Sequence, residues 1–189
     1  TRTRRQRQMC IRDRSIAVAV DGINSVGGVA IPKFLESLGI KKIKKINCNP
    51  DGNFNHNPEP LPENITDLCS EVKRGKYQLG IVVDPDADRL VLVDERGEPF
   101  GEEYTLVAAA EYLLSKNHGA STCSNLSSTL ALKNITEKYG GKYFSSAVGE
   151  INVVQVMKEK KCLIGGEGNG GVIYPMTHYG SCLLYTSDA

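Results

Sequence analysis

The stretch GIVVDPDADRLVLVD, residues 80–94, decides how this chain is read. Ile81–Val83 and Leu90–Val93 are apolar runs of strand length. Between them Asp84, Asp86 and Asp88 recur at alternate positions. Along an extended segment such positions point the same way. Carboxylates gathered like this repel, and each is driven toward holding a proton. A hard cation removes the conflict, and an all-oxygen donor set suits magnesium or calcium. Arg89 follows at once, and its planar fork suits a pair of phosphate oxygens. The loop therefore reads as a metal site with an anion-binding neighbour.

Three other readings compete for the same loop. It could be an exposed acidic turn, since Asp and Pro are ordinary turn residues. It could be a calcium loop of the EF-hand kind, with Glu95 twelfth from Asp84; but the sixth position is Arg89 where that loop needs glycine, and LVLV follows as a strand. It could be a phosphatase of the haloacid dehalogenase type, with Asp84 as nucleophile and Asp86 as general acid. The third carboxylate, Asp88, favours a ligand cluster over that chemistry.

Outward from the loop, strand-like and helix-like segments alternate. SIAVAV (15–20) reads as a strand, and Gly27-Gly28 opens a helix whose Ile31, Phe34, Leu35 and Leu38 have core-face spacing. Residues 42–48 read as a strand, and NPDGNFNHNPEPLPEN (49–64) is too rich in Asn and Pro for a regular element. His56 lies in it and reads as a surface residue. A helix is expected over 63–74, strands over 79–83 and 90–94, and a helix over 103–115. A βαβαββα order implies a mostly parallel sheet with helices on its faces, and puts the acidic loop at the carboxyl end of a strand. Asn117-His118-Gly119 breaks the pattern. A second unit follows, with strands over 121–125, 142–145 and 162–164 and helices over 129–139 and 150–159. Ser127 and Ser128 read as caps of the first of these helices. The expectation is two tandem α/β domains with mixed, mostly parallel sheets, over 15–118 and 119–180.

The basic head TRTRRQRQMCIRDR (1–14) and the tail SCLLYTSDA (181–189) continue neither pattern. They resemble translated adapter sequence, or else disordered ends, and stand outside the fold argument. With them removed the body is slightly acidic, which gives no reason to expect nucleic acid. No apolar run approaches a membrane span, and no apolar segment behind the head makes a signal peptide. Cys48, Cys69, Cys123 and Cys162 form no C-x-x-C pair and no zinc spacing. They read as reduced core residues of a cytoplasmic protein.

GGEGNGG, residues 165–171, holds five glycines in seven positions. Such a loop lets a ligand approach the backbone closely. Glu167 supplies acceptor oxygens and Asn169 both a donor and an acceptor, a mix suited to vicinal sugar hydroxyls. A plain hairpin is the equal alternative, because Asn169-Gly170 is a hairpin dipeptide. No Lys-Ser/Thr follows the glycines, so this is not a P-loop.

Two motifs in this order resemble the α-D-phosphohexomutase family, which includes phosphoglucomutase, phosphomannomutase and phosphoglucosamine mutase. DPDADR is similar to the family's magnesium loop and GGEGNGG to its sugar-binding loop; DGINSVGG, DGNFNHNPEP, NLSST and VGEINVV also read like family segments. The resemblance covers about residues 15–180. It implies a fragment comprising the second of four domains and most of the third. The first domain, with the catalytic phosphoserine, and the fourth, with a phosphate-clamping loop, would be partners missing from this chain. It further implies interconversion of hexose 1- and 6-phosphates through a bisphosphate. Asp84, Asp86 and Asp88 would hold Mg2+, Arg89 would contact substrate near its phosphate, and Glu167 and Asn169 would hold the sugar. The loop form leans toward phosphoglucosamine mutase-like members. A non-catalytic sugar-phosphate or metal-binding relative would keep the same loops, and the phosphatase reading stays open at this point.

Overall fold

A computed structural model describes residues 16–180. The segments set aside as non-native, 1–14 and 181–189, with Cys10 and Cys182, lie outside the described residues. The chain divides into two compact units, the first ending at Pro85 but including Leu92–Pro99, the second taking Asp86–Val91 and everything from Phe100.

The first unit is built on β1 (Ala17–Asp21), α1 (Gly27–Ser37), β2 (Lys42–Ile46), α2 (Thr66–Gly75), β3 (Leu79–Val83) and β4 (Leu90–Val93), of which Leu92 and Val93 fall in this unit, in sheet order β2-β1-β3-β4. β1 runs parallel to β2, Ala17 opposite Lys42, and to β3, Val18 opposite Leu79. Its five residues, AVAVD, are all buried, as suits a central strand covered on both faces. β2, KIKKI, is an exposed edge, and its lysines discourage further strand pairing. Residues 49–64 form no helix or strand, as their composition predicts.

One expected face is wrong. Of Ile31, Phe34, Leu35 and Leu38 only Leu35 is buried; Phe34 is 59% exposed and Leu38 54%. The buried face of α1 is Gly27, Gly28, Pro32 and Leu35. Close approach selects that face. A β-carbon on Gly28 would lie 2.6 Å from the Cα of Cys48, and one on Gly27 would lie 2.2 Å from a Val83 methyl. The helix therefore rides on its small residues.

The second unit contains α3 (Glu102–Leu114), β5 (Thr122–Asn125), α4 (Ala131–Lys138), β6 (Tyr143–Ser146), α5 (Glu150–Lys160), β7 (Ile164–Gly166) and β8 (Val172–Ile173). Its sheet order is β6-β5-β7-β8; β5 is parallel to β6 and β7, and β7 is antiparallel to β8. Leu106, Ala110 and Leu114 of α3 form one core with Leu132 and Ile164. Cys123, Val153, Met157, Cys162 and Ile173 form another. α3 thus belongs to the second unit, and the divide falls after Pro99 rather than near residue 118. The sequence break at 117–119 is only the turn leaving that helix. β7 begins two residues later than expected, because Gly165 and Gly166 pair within the sheet themselves. Two sheets of mostly parallel strands with helices, as expected, make up the described chain.

Candidate functional site

β3 delivers the acidic loop. Its last residues, Val82 and Val83, are buried, so Asp84 leaves the sheet at a fixed point and is itself only 6% exposed. The chain then turns instead of running extended: Ala87, fully buried, takes a left-handed φ of 59°. Convergence of the carboxylates thus comes from a turn, not from strand alternation as the spacing suggested. One oxygen each from Asp84, Asp86 and Asp88 lie within 4.8 Å of one another. This is the one group of three or more His, Cys, Asp or Glu among the described residues with metal-holding geometry. Ser25 Oγ donates to the Pro85 carbonyl at 2.6 Å and fixes the loop's first turn. Arg89 Nε lies 3.9 Å from Asp88 Oδ1.

The glycine segment is a hairpin, with Gly165 opposite Ile173 and Gly166 opposite Val172. The hairpin reading therefore holds, and the same turn presents functional groups. Gly170 has φ of 92°, and a β-carbon there would come within 3.0 Å of the Leu90 carbonyl oxygen. That closeness permits a backbone bond, Leu90 N–H to the Gly170 carbonyl at 3.2 Å. Asn169 folds back, its Oδ1 accepting from Gly171 N at 3.1 Å, which turns the carboxamide's remaining capacity toward donation. Glu167 Oε1 accepts from Asn125 Nδ2 at 2.7 Å and from Gly149 N at 2.9 Å.

These pieces share a cavity of about 130 Å³, lined by Asp88, Arg89, Glu150, Gly166, Glu167, Asn169, Gly171 and Ile173. Four residues singled out in the sequence, Asp88, Arg89, Glu167 and Asn169, therefore meet around one space. Asp84 and Asp86 do not line it. Glu150, first residue of α5, does, and the sequence reading had not picked it out. Ser127 and Ser128 are not caps: α4 has no side-chain cap, and both hydroxyls donate to Asn125 Oδ1, at 3.0 and 2.8 Å. Thr129 Oγ1 instead accepts from Ala131 N at 3.2 Å. Asn125 was likewise missed, although it begins the quoted NLSST segment. His56 is not a plain surface residue: its Nε2 reaches Asp21 Oδ2 at 3.3 Å, away from the cavity.

Comparison with known proteins decides the family. Residues 3–97 match the model for phosphoglucomutase/phosphomannomutase α/β/α domain II, and residues 101–188 match that for domain III. This chain belongs to the phosphoglucomutase/phosphomannomutase family. The junction between the two matches falls where the structure divides. A phosphoglucomutase/phosphomannomutase of Thermococcus kodakarensis is 35% identical over 87% of this chain and 36% of its own length. A Methanopyrus kandleri protein named as a probable phosphoglucosamine mutase is 32% identical over 86% of this chain and 36% of its own. Among solved structures, a phosphoglucomutase/phosphomannomutase family protein from Burkholderia thailandensis superposes with a TM-score of 0.81 and 28% identity, over 92% of this chain and 40% of that one. The chain thus spans about a third of the length of the curated relatives it matches.

Proposed function

We propose that the full-length protein is a magnesium-dependent phosphohexomutase. It interconverts hexose 1-phosphate and 6-phosphate through a bisphosphate, using a phosphoserine carried outside this chain. The observation that supports this most is the shared cavity: the end of the acidic loop, Asp88-Arg89, and the hairpin pair Glu167 and Asn169 line one space.

The acidic loop suits the ion. Three carboxylates with converging oxygens form a hard donor set, and a buried Asp84 among them is better compensated by a cation than by water. Asp84, Asp86 and Asp88 would hold Mg2+; when bound, the ion would neutralise charge on a phosphoryl group. Arg89 contributes a fork for phosphate oxygens. Glu167 accepts hydrogen bonds from sugar hydroxyls, and Asn169 donates to them.

The lining also bears on which sugar. Asp88, Glu150 and Glu167 line the cavity together with one guanidinium, Arg89. A lining with more carboxylates than cationic side chains suits a sugar phosphate that also carries an ammonium, so glucosamine phosphate is the favoured substrate. The test is turnover by the full-length protein with magnesium, on glucosamine 6-phosphate, glucose 6-phosphate and mannose 6-phosphate. The glucosamine compound should be converted with the highest kcat/KM. Binding without turnover of any of the three would instead make the protein a non-catalytic relative, and phosphate trapped on Asp84 would favour a phosphatase.

A further inference from the structure

We propose that Asn125 is a positioning residue for Glu167: it saturates one carboxylate oxygen so that the other is offered to the sugar in a single orientation. The inference rests on the functional reading above. Asn125 ends β5, is 2% exposed, and is not part of the cavity lining. Any influence it has on a ligand must therefore pass through another residue.

Its amide has one satisfactory orientation. Oδ1 accepts from both Ser127 and Ser128 hydroxyls, at 3.0 and 2.8 Å, so Nδ2 is turned to Glu167 Oε1 at 2.7 Å. The reverse orientation would set an amide oxygen against a carboxylate oxygen. Gly149 N delivers a second bond to the same Oε1 at 2.9 Å, from a backbone with φ of 111° that favours glycine. Gly149 immediately precedes α5, where the first amides of a helix attract negative charge. Three segments distant in sequence, the end of β5, the start of α5 and the hairpin, thus hold one carboxylate. Oε1 takes two charge-assisted bonds from the protein, which leaves Oε2 to meet a ligand donor. A carboxylate held this way is organised before the ligand arrives, which is what a precise hydroxyl contact requires.

The test uses the full-length protein and a double-mutant cycle. Asn125→Ala should raise KM for the hexose phosphate about 10- to 100-fold, the loss expected for one hydrogen bond to a charged group, with a smaller change in kcat. In a Glu167→Ala background the same substitution should change KM by less than about twofold, because its route is gone. Asn125→Asp sets a second carboxylate against Glu167 and should be worse than Asn125→Ala. Ser127→Ala combined with Ser128→Ala removes both donors to Oδ1, loosens the amide's hold on Glu167 and should raise KM in the same direction even if Asn125 variants fold poorly. Effects that multiply across the cycle, or an unchanged KM, would overturn the proposal. A separate readout needs no turnover: the Asn125 side-chain amide of the 189-residue chain should give protected proton signals that Glu167→Ala abolishes. If those signals behave as expected while the full-length protein shows no mutase activity, the functional reading fails and the positioning contact stands. If the signals are unprotected, the contact itself fails.

Discussion

Asp21 sets the terms at the residue scale. Its carboxylate is fully buried at the end of β1 and accepts from Ile23 N at 3.0 Å, from Asn47 Nδ2 at 3.1 Å and from the His56 ring at 3.3 Å. The His56 contact ties the irregular 49–64 segment to the sheet. Asp21→Ala strands the buried Ile23 N–H and the half-buried Asn47 and His56 donors and should cost about 2–4 kcal/mol, read as a lower urea midpoint. The cysteines give a pH prediction. Burial pushes Cys123 from 9.0 to about 11 and Cys162 from 9.0 to about 12. Both thiols stay protonated in the native state while unfolded thiols ionise near 9, so their contribution is complete below that pH and is lost as pH climbs from about 9 toward 12. Urea midpoints should fall over this window, and less steeply in a Cys123→Ala, Cys162→Ala variant. Native alkylation of either thiol should be slow at neutral pH. Residue roles were legible in the sequence where partners are neighbours, as for Asp84, Asp86 and Asp88. They were illegible where a fold closes the distance, as between Asn125 and Glu167, 42 positions apart.

At the scale of elements, helix and strand positions followed from periodicity, but the face of α1 did not. Hydrophobic spacing chose Phe34 and Leu38; steric approach chose Gly27 and Gly28. Hydropathy registers what a side chain prefers, whereas a glycine contact registers how near two backbones come, and only coordinates show the second. The contrast can be measured. Gly28→Ala puts a methyl 2.6 Å from the Cys48 backbone and should destabilise by about 1–3 kcal/mol, whereas Phe34→Ser, at a position 59% exposed, should change stability by less than about 0.5 kcal/mol. Thermal or urea unfolding of both variants checks this. In the acidic turn, Asp86 is exposed, so Asp86→Asn should weaken magnesium binding in calorimetry without lowering the melting temperature.

For the whole molecule, the composition break at 117–119 suggested a domain boundary that packing places after Pro99. A chain beginning at residue 119 would lose Leu106, Ala110 and Leu114 and leave Leu132 and Ile164 uncovered, so it should lack the dispersed amide spectrum of a folded domain. The intact 189-residue chain should fold yet show no hexose-phosphate turnover, because the proposed phosphoryl donor lies elsewhere in the parent protein. Detectable turnover by this chain alone would require a donor within it. Within the second unit, the Leu90–Gly170 bond has a mechanical result. It stitches the strand behind Arg89 to the tip of the hairpin, and the cavity becomes a caliper whose gap is set in backbone. Any guest in that gap meets the Arg89 side and the hairpin side at a spacing held by main chain rather than by side-chain rotamers alone.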